Sequence, residues 1–139
     1  MAAEPAGYSG TPQLKKLGIV PGARFSVAGA DPDWRFAEDP DDADRVADDA
    51  SADVVLAFVR ERSALLPAIE RHERRIFPAG ALWIAWPRKA GGHVSDLTDD
   101  DIRVDALPRG LVDTKIAAID ADWSGLKLVW RRERRGVPT

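Results

Sequence analysis

Arg60 and the run Arg88-Lys89-Ala90-Gly91-Gly92-His93 are the residues whose types and spacing best suit chemistry. Guanidinium and ammonium groups pair with phosphate or carboxylate, adjacent glycines bring backbone N–H groups close to an anion, and an imidazole can donate, accept or transfer a proton near neutral pH. Arg60, Arg88, Lys89, Gly91, Gly92 and His93 therefore read as a binding rim for a small anion, to which a helix starting at Thr98 adds its dipole. Catalysis is not implied. His93 stands alone beside two glycines, where a histidine is ordinarily exposed, and His72 has the spacing of a core-facing helical position that is buried and hydrogen-bonded. Asp96, Asp99, Asp100 and Asp101 have the chemistry to hold Mg²⁺ beside a phosphate, but acids at a helix start are accounted for by capping and the dipole. No His/Asp/Glu set at ligand spacing supports a metal site, and no G-x-S-x-G elbow surrounds Ser9, Ser26, Ser63, Ser95 or Ser124. The absence of cysteine removes thiolate nucleophiles, thiolate ligands and disulfides. No catalytic residue, metal or cofactor is expected.

These residues need a scaffold, and a chain of 139 residues, 45% hydrophobic and 31% charged, has the size and composition of one folded domain. The net charge of −3 conceals a segregation: ten acidic residues fall within positions 31–53, against Arg35 and Arg45, whereas residues 131–135 read Arg-Arg-Glu-Arg-Arg. The first stretch reads as a solvated face and the second as a frayed, solubilising tail. Without stacking aromatics or a groove-reading element nearby, the tail argues against a nucleic-acid partner. The first residues lack the basic start and apolar core of a signal peptide, and the longest apolar run, residues 54–59, is too short to cross a bilayer. The expectation is a cytoplasmic protein with no membrane partner: one domain over residues 8–130, with flexible ends at 1–7 and 131–139.

Residues 14–19 suggest a helical turn stopped by Gly18, and Pro21-Gly22 leads into a strand over 24–28. Asp31 to Phe36 reads as a loop with at most a brief helix, and only a short edge strand around Arg45-Val46-Ala47 is compatible with the acidic stretch. The continuous apolar runs at 54–59 and 81–86 fit strands covered on both faces. Between them, Leu65, Ile69, His72 and Ile76 share a helical face over 63–77, with Ser63 as the expected N-cap. Strand, helix and strand with a connector of this length imply a right-handed parallel crossover. Thr98 followed by three aspartates opens a helix to about Leu107. Runs at 114–120 and 126–130 pair as an antiparallel hairpin, with Leu126, Leu128 and Trp130 on one face and Trp123 in the connecting loop. Alternation puts Trp83 and Trp86 on opposite faces, and leaves Trp123 either folded back as a lid or exposed as an anchor.

The fold class is thus α/β: a three-layer Rossmann-like arrangement with a mostly parallel sheet and a C-terminal antiparallel hairpin. That order resembles a shortened Rossmann-like methyltransferase core, and Leu17-Gly18-Ile19-Val20-Pro21-Gly22-Ala23-Arg24-Phe25-Ser26-Val27-Ala28-Gly29 is similar to the approach to the first strand of those enzymes. The resemblance implies a glycine-rich loop for S-adenosylmethionine, yet Val27, Asp31 and Asp33 stand where an acid and two glycines are usual. Binding of that donor is not expected. Five further blocks, Tyr8-Ser9-Gly10-Thr11-Pro12, Lys15-Lys16-Leu17-Gly18-Ile19, Trp83-Ile84-Ala85-Trp86-Pro87-Arg88-Lys89, Ser95-Asp96-Leu97-Thr98 and Asp122-Trp123-Ser124-Gly125-Leu126, together resemble the uncharacterised bacterial domain of unknown function 3052 family. That resemblance implies the fold, transfers no catalytic residue, and suggests Tyr8, Lys15 and Lys16 packing over the sheet end. The leading expectation is a non-catalytic domain binding a small anion or a protein partner at the strand-end loops; the alternative is a divergent small-molecule transferase.

Overall fold

A computed structural model describes residues 11–135. Its elements are α1 (Gln13–Leu17), β1 (Arg24–Ala28), β2 (Asp44–Arg45), β3 (Val54–Phe58), α2 (Leu65–His72), β4 (Ala81–Pro87), α3 (Asp99–Ala106), β5 (Leu111–Ala118), β6 (Trp123–Trp130) and α4 (Arg132–Arg135). The six strands form one sheet in the order β2-β1-β3-β4-β6-β5. β1 pairs in parallel with β2 and β3, β3 in parallel with β4, and β6 lies antiparallel between β4 and β5. The α/β class, the parallel strands and the terminal hairpin follow the expectation. β3 and β4 are central and buried almost throughout, as unbroken apolar runs require.

One face of the sheet lies under α2 and α3, where Leu65, Ile69, Leu82, Ile84 and Ile102 are fully buried with Leu126, Leu128 and Trp130. Each such side chain contributes about 1.5–3 kcal/mol by leaving water. The other face packs Leu17, Ile19, Phe25, Leu56, Phe58 and Trp83 against α1 and the irregular segment carrying Trp34 and Phe36. Parallel neighbours are usually joined through a helix. The β1–β2 connection contains none, so the third layer consists of one short helix and aromatic side chains. Trp83 and Trp86 do fall on opposite faces, and Trp83 Nε1 donates to Leu17 O at 3.1 Å.

Four details differ from the sequence reading. The helix after β3 ends at His72, although the apolar spacing continues to Ile76, because Trp130 Nε1 and Ala52 N take the carbonyls of Glu73 and Arg75. Ser63 lies in a 3₁₀ turn, and Ala64 occupies the cap position without a side-chain bond. β5 starts at Leu111, with a bulge between Asp113 and Lys115. Trp123 is the first residue of β6 and is buried, so it is folded back. By contrast, Thr98 and Asp101 form the expected N-cap as a reciprocal capping box, which satisfies orphan amides at the start of α3. The basic run opens with the α4 turn, in which Arg135 Nε donates to Trp130 O at 2.8 Å. Residues 1–7, the last four residues of the expected 131–139 tail, and Tyr8 lie outside the described residues. No described helix is long and apolar enough to cross a membrane.

Candidate functional site

Parallel β1, β3 and β4 direct their carboxyl ends to one side of the sheet, and the predicted site residues follow β3 and β4 there. Gly29, at the end of β1, has φ of +75°, and a Cβ on it would lie 2.7 Å from Phe58 O. Only glycine allows the two strand ends to approach this closely. Arg60 closes over that junction, donating to Gly29 O at 2.9 Å and to Asp31 Oδ1 at 2.7 Å, with its guanidinium 5.2 Å from the Trp123 ring centroid. Beneath it, the rings of Trp34, Phe58 and Trp123 meet edge to face at 4.9 and 4.8 Å, and Trp34 Nε1 donates to Asp120 Oδ2 at 3.0 Å. Arg60 is therefore a latch bonded to a carboxylate rather than an open anion receptor.

The loop after β4 is docked on the β5–β6 turn. Arg88 N donates to Asp122 O at 2.8 Å, and His93 Nε2 lies 2.9 Å from Asp122 Oδ1. Gly91 packs so tightly that a Cβ there would come within 2.5 Å of Ala121 O. The amides of Gly91 and Gly92 close a 3₁₀ turn by donating to Arg88 O and Lys89 O, so they do not face outward as an anion cradle. Of the six predicted residues, only Arg88 and Lys89 line a cleft with open donors. That cleft, about 350 Å³, also contains Ser95, Thr98 and Ser124. Lys89 and the Ser124 hydroxyl have no hydrogen-bond or ionic partner among the described residues. Asp99, at its edge, is already paired with Arg103 at 2.6 Å. Arg60 and His93 instead line a separate cleft of about 290 Å³ with Asp31, Asp122 and Trp123.

Among the described residues no group of three or more His, Asp or Glu side chains is placed to hold a metal ion. Lys16 reaches over the sheet end as anticipated, with Nζ donating to Ala118 O at 3.2 Å, and burial with nearby Lys115 lowers its pKa. His72 is buried with Nδ1 3.0 Å from Arg75 Nη1. Burial, then the charges of Arg75 and Arg71, push its imidazole down to about 4, so it is neutral at physiological pH. Sequence reasoning missed the crevice beside it, which Asp48 and Arg71 share. It also missed the Trp34 plug; the Trp and Phe two residues apart were the available signal, but neither helical nor strand spacing registers a plug in a loop.

No protein-family model matches the chain, and no curated protein matches it. Among solved structures, it is similar to a protein of the NADB-Rossmann superfamily from Streptococcus agalactiae, with 11% identity and a TM-score of 0.50 over 90% of this chain and 70% of that one. It is also similar to a Streptococcus pneumoniae protein proposed to be a tRNA (m1A22) methyltransferase, with 11% identity and a TM-score of 0.51 over 86% of this chain and 70% of that one. At this identity the similarity establishes the fold alone: the chain has a Rossmann-like architecture.

Proposed function

We propose that this chain is a non-catalytic Rossmann-like binding domain, and that the cleft at the carboxyl end of β4 holds a small anion. The carrying observation is the pair of open donors, Lys89 and Ser124, in one cleft with Arg88. Arg60, His93, Gly91 and Gly92 serve this reading indirectly, by fixing the shape of the surrounding loops. Kinship with the domain of unknown function 3052 family, based on the five blocks quoted above, belongs to the same proposal. Methyl transfer is not carried over from the neighbours: after β1 this chain has Asp31, ion-paired with Arg60, and Asp33 where two glycines are usual, followed by the packed ring of Trp34. A protein partner at the same rim is a second reading, favoured by Val94, 98% exposed beside the anchored His93.

Backbone NMR titration with inorganic phosphate and with acetate tests the first reading. The amides of residues 88–99 and Ser124 are expected to shift, and Lys89→Gln to weaken the response about tenfold, the equivalent of ~1.4 kcal/mol. Unshifted cleft amides in a well-folded sample would reject it.

A further inference from the structure

The order β2-β1-β3-β4 contains a switch point between β1 and β3, because β1 leads outward to β2 and β3 leads the other way to β4. Open α/β sheets form a crevice outside the strand ends where two connections part in this way. The connection from β1 carries Trp34 and Phe36 to one face while α2 lies on the other, which leaves the α2 side of β1 without a helix of its own. The result is a crevice of about 390 Å³ with Val27, Ala57 and Ala68 as apolar lining and Asp48, Arg71 and His72 as polar groups. It shares no lining residue with the Lys89 cleft.

Its polar groups are open. Arg71 and Asp48 are exposed, and neither hydrogen-bonds or ion-pairs with the other or with any other described residue. Arg60, Arg62, Arg103 and Arg109, in contrast, each hold a carboxylate. An arginine N–H can only donate, so His72 Nδ1 accepts from Arg75 and the neutral ring carries its proton on Nε2. That Nε2–H has no acceptor among the described residues, although His72 is only 2% exposed. His72 lines the crevice, and its Nε2 keeps contact with solvent there, since among the described residues Ser26 Oγ is the fully buried side-chain polar atom without a partner; an acceptor from outside the chain can therefore reach it. Arg75 itself is engaged elsewhere, with Nε and Nη2 on the carbonyls of Ala50 and Ala47.

We propose that this crevice binds a small carboxylate bearing an α-amino or α-hydroxyl group. Arg71 and the His72 Nε2–H receive the carboxylate, and the amino or hydroxyl group donates to Asp48. The two open charges cancel, which suits a zwitterion or a monoanion that brings its own donor. A phosphate dianion would meet one open cation and the repulsion of Asp48. The volume lies at the small end of the ~300–1,000 Å³ typical of small-molecule sites.

The test is ¹⁵N-resolved titration of the full chain with each of the common L-amino acids, L-lactate and L-malate, with inorganic phosphate as the competing chemistry. At least one amino or hydroxy acid is expected to shift the amides of Gly29, Asp48, Ala57 and residues 68–72, more strongly than phosphate does. Arg71→Gln and Asp48→Asn, both at exposed positions and checked for folding by circular dichroism, should each weaken that binding at least tenfold. The proposal is overturned if no compound moves these amides, if phosphate binds as well as the carboxylates, or if both folded variants bind undiminished. Shifts confined to residues 88–99 would also overturn it while supporting the Lys89 cleft, and shifts confined to the crevice would do the reverse.

Discussion

The two faces of the sheet are covered by different means. On one, α2 and α3 lie side by side over fully buried aliphatic residues and are clamped by bidentate ion pairs, Arg62 to Asp105 at 2.7 and 3.1 Å and Arg109 to Glu73 at 2.7 and 2.6 Å. On the other, a five-residue helix and a loop close the core through edge-to-face rings, Phe25 to Phe36 at 5.8 Å and Trp34 to Phe36 at 4.8 Å. The helical cover rests on repeated, interchangeable burial, the loop cover on a few particular side chains. Damage should therefore spread on the first face and stay local on the second.

The largest effect expected is from Ile102→Ala. Ile102 is fully buried on the inner side of α3, and the cavity should cost about 2–5 kcal/mol, read as a lower urea midpoint for the whole domain. A loss confined to local exchange around α3 would break the contrast between the faces.

Acid should also act on the helical face. His72 titrates near 4 when folded and at an ordinary histidine value near 6.5 when unfolded. Between those values the unfolded chain binds the extra proton, so the stabilisation is complete above about pH 6.5 and is lost as pH falls towards 4. At ~1.4 kcal/mol per pH unit across that interval the loss amounts to at most about 3.5 kcal/mol. His72→Gln should flatten this part of the stability curve; an unchanged slope in the variant would assign the effect to another group.

Trp34→Ala tests the opposite face. It removes a half-buried ring and the bond to Asp120, with an expected loss of about 1–3 kcal/mol. Hydrogen exchange should quicken over residues 29–43 while the amides of β3 and β4 remain protected. Global loss of protection would show that the loop is as integral as the helices. The smallest expected effect is none at all: calorimetry with S-adenosylmethionine should register no binding, since Asp31 and Trp34 occupy the loop after β1. Micromolar affinity, lost on mutating residues 29–33, would instead favour the transferase reading.

The helical face was the more legible in the sequence. Unbroken apolar runs located β3 and β4, spacing located the buried side of α2, and Thr98 with its aspartates located the start of α3. The pairing of cations was hidden because charge identity does not reveal partners: Arg60 finds Asp31 and His93 finds Asp122, each 29 residues away. Two of six expected site residues were thereby turned into latches, and two glycine amides were taken by a turn. The end of α2 was hidden for a similar reason, since Trp130 lies 57 residues from the carbonyl it captures. The switch-point crevice needed the strand order, which no local pattern contains.

The position of β6 has a consequence for synthesis on the ribosome. Emerging last of the strands, it must enter between β4 and β5, pairing with β4 over Leu82 to Pro87 and with β5 over Leu111 to Ala118. Until residues 123–130 leave the exit tunnel, the nascent sheet has two unpaired inner edges, one of them on β4, a strand buried almost throughout. Such edges invite pairing with other chains. The interval between translation of β5 and of β6 is therefore when a chaperone has most to protect, and a chain arrested at Asp122 should aggregate where the chain continued through Trp130 does not.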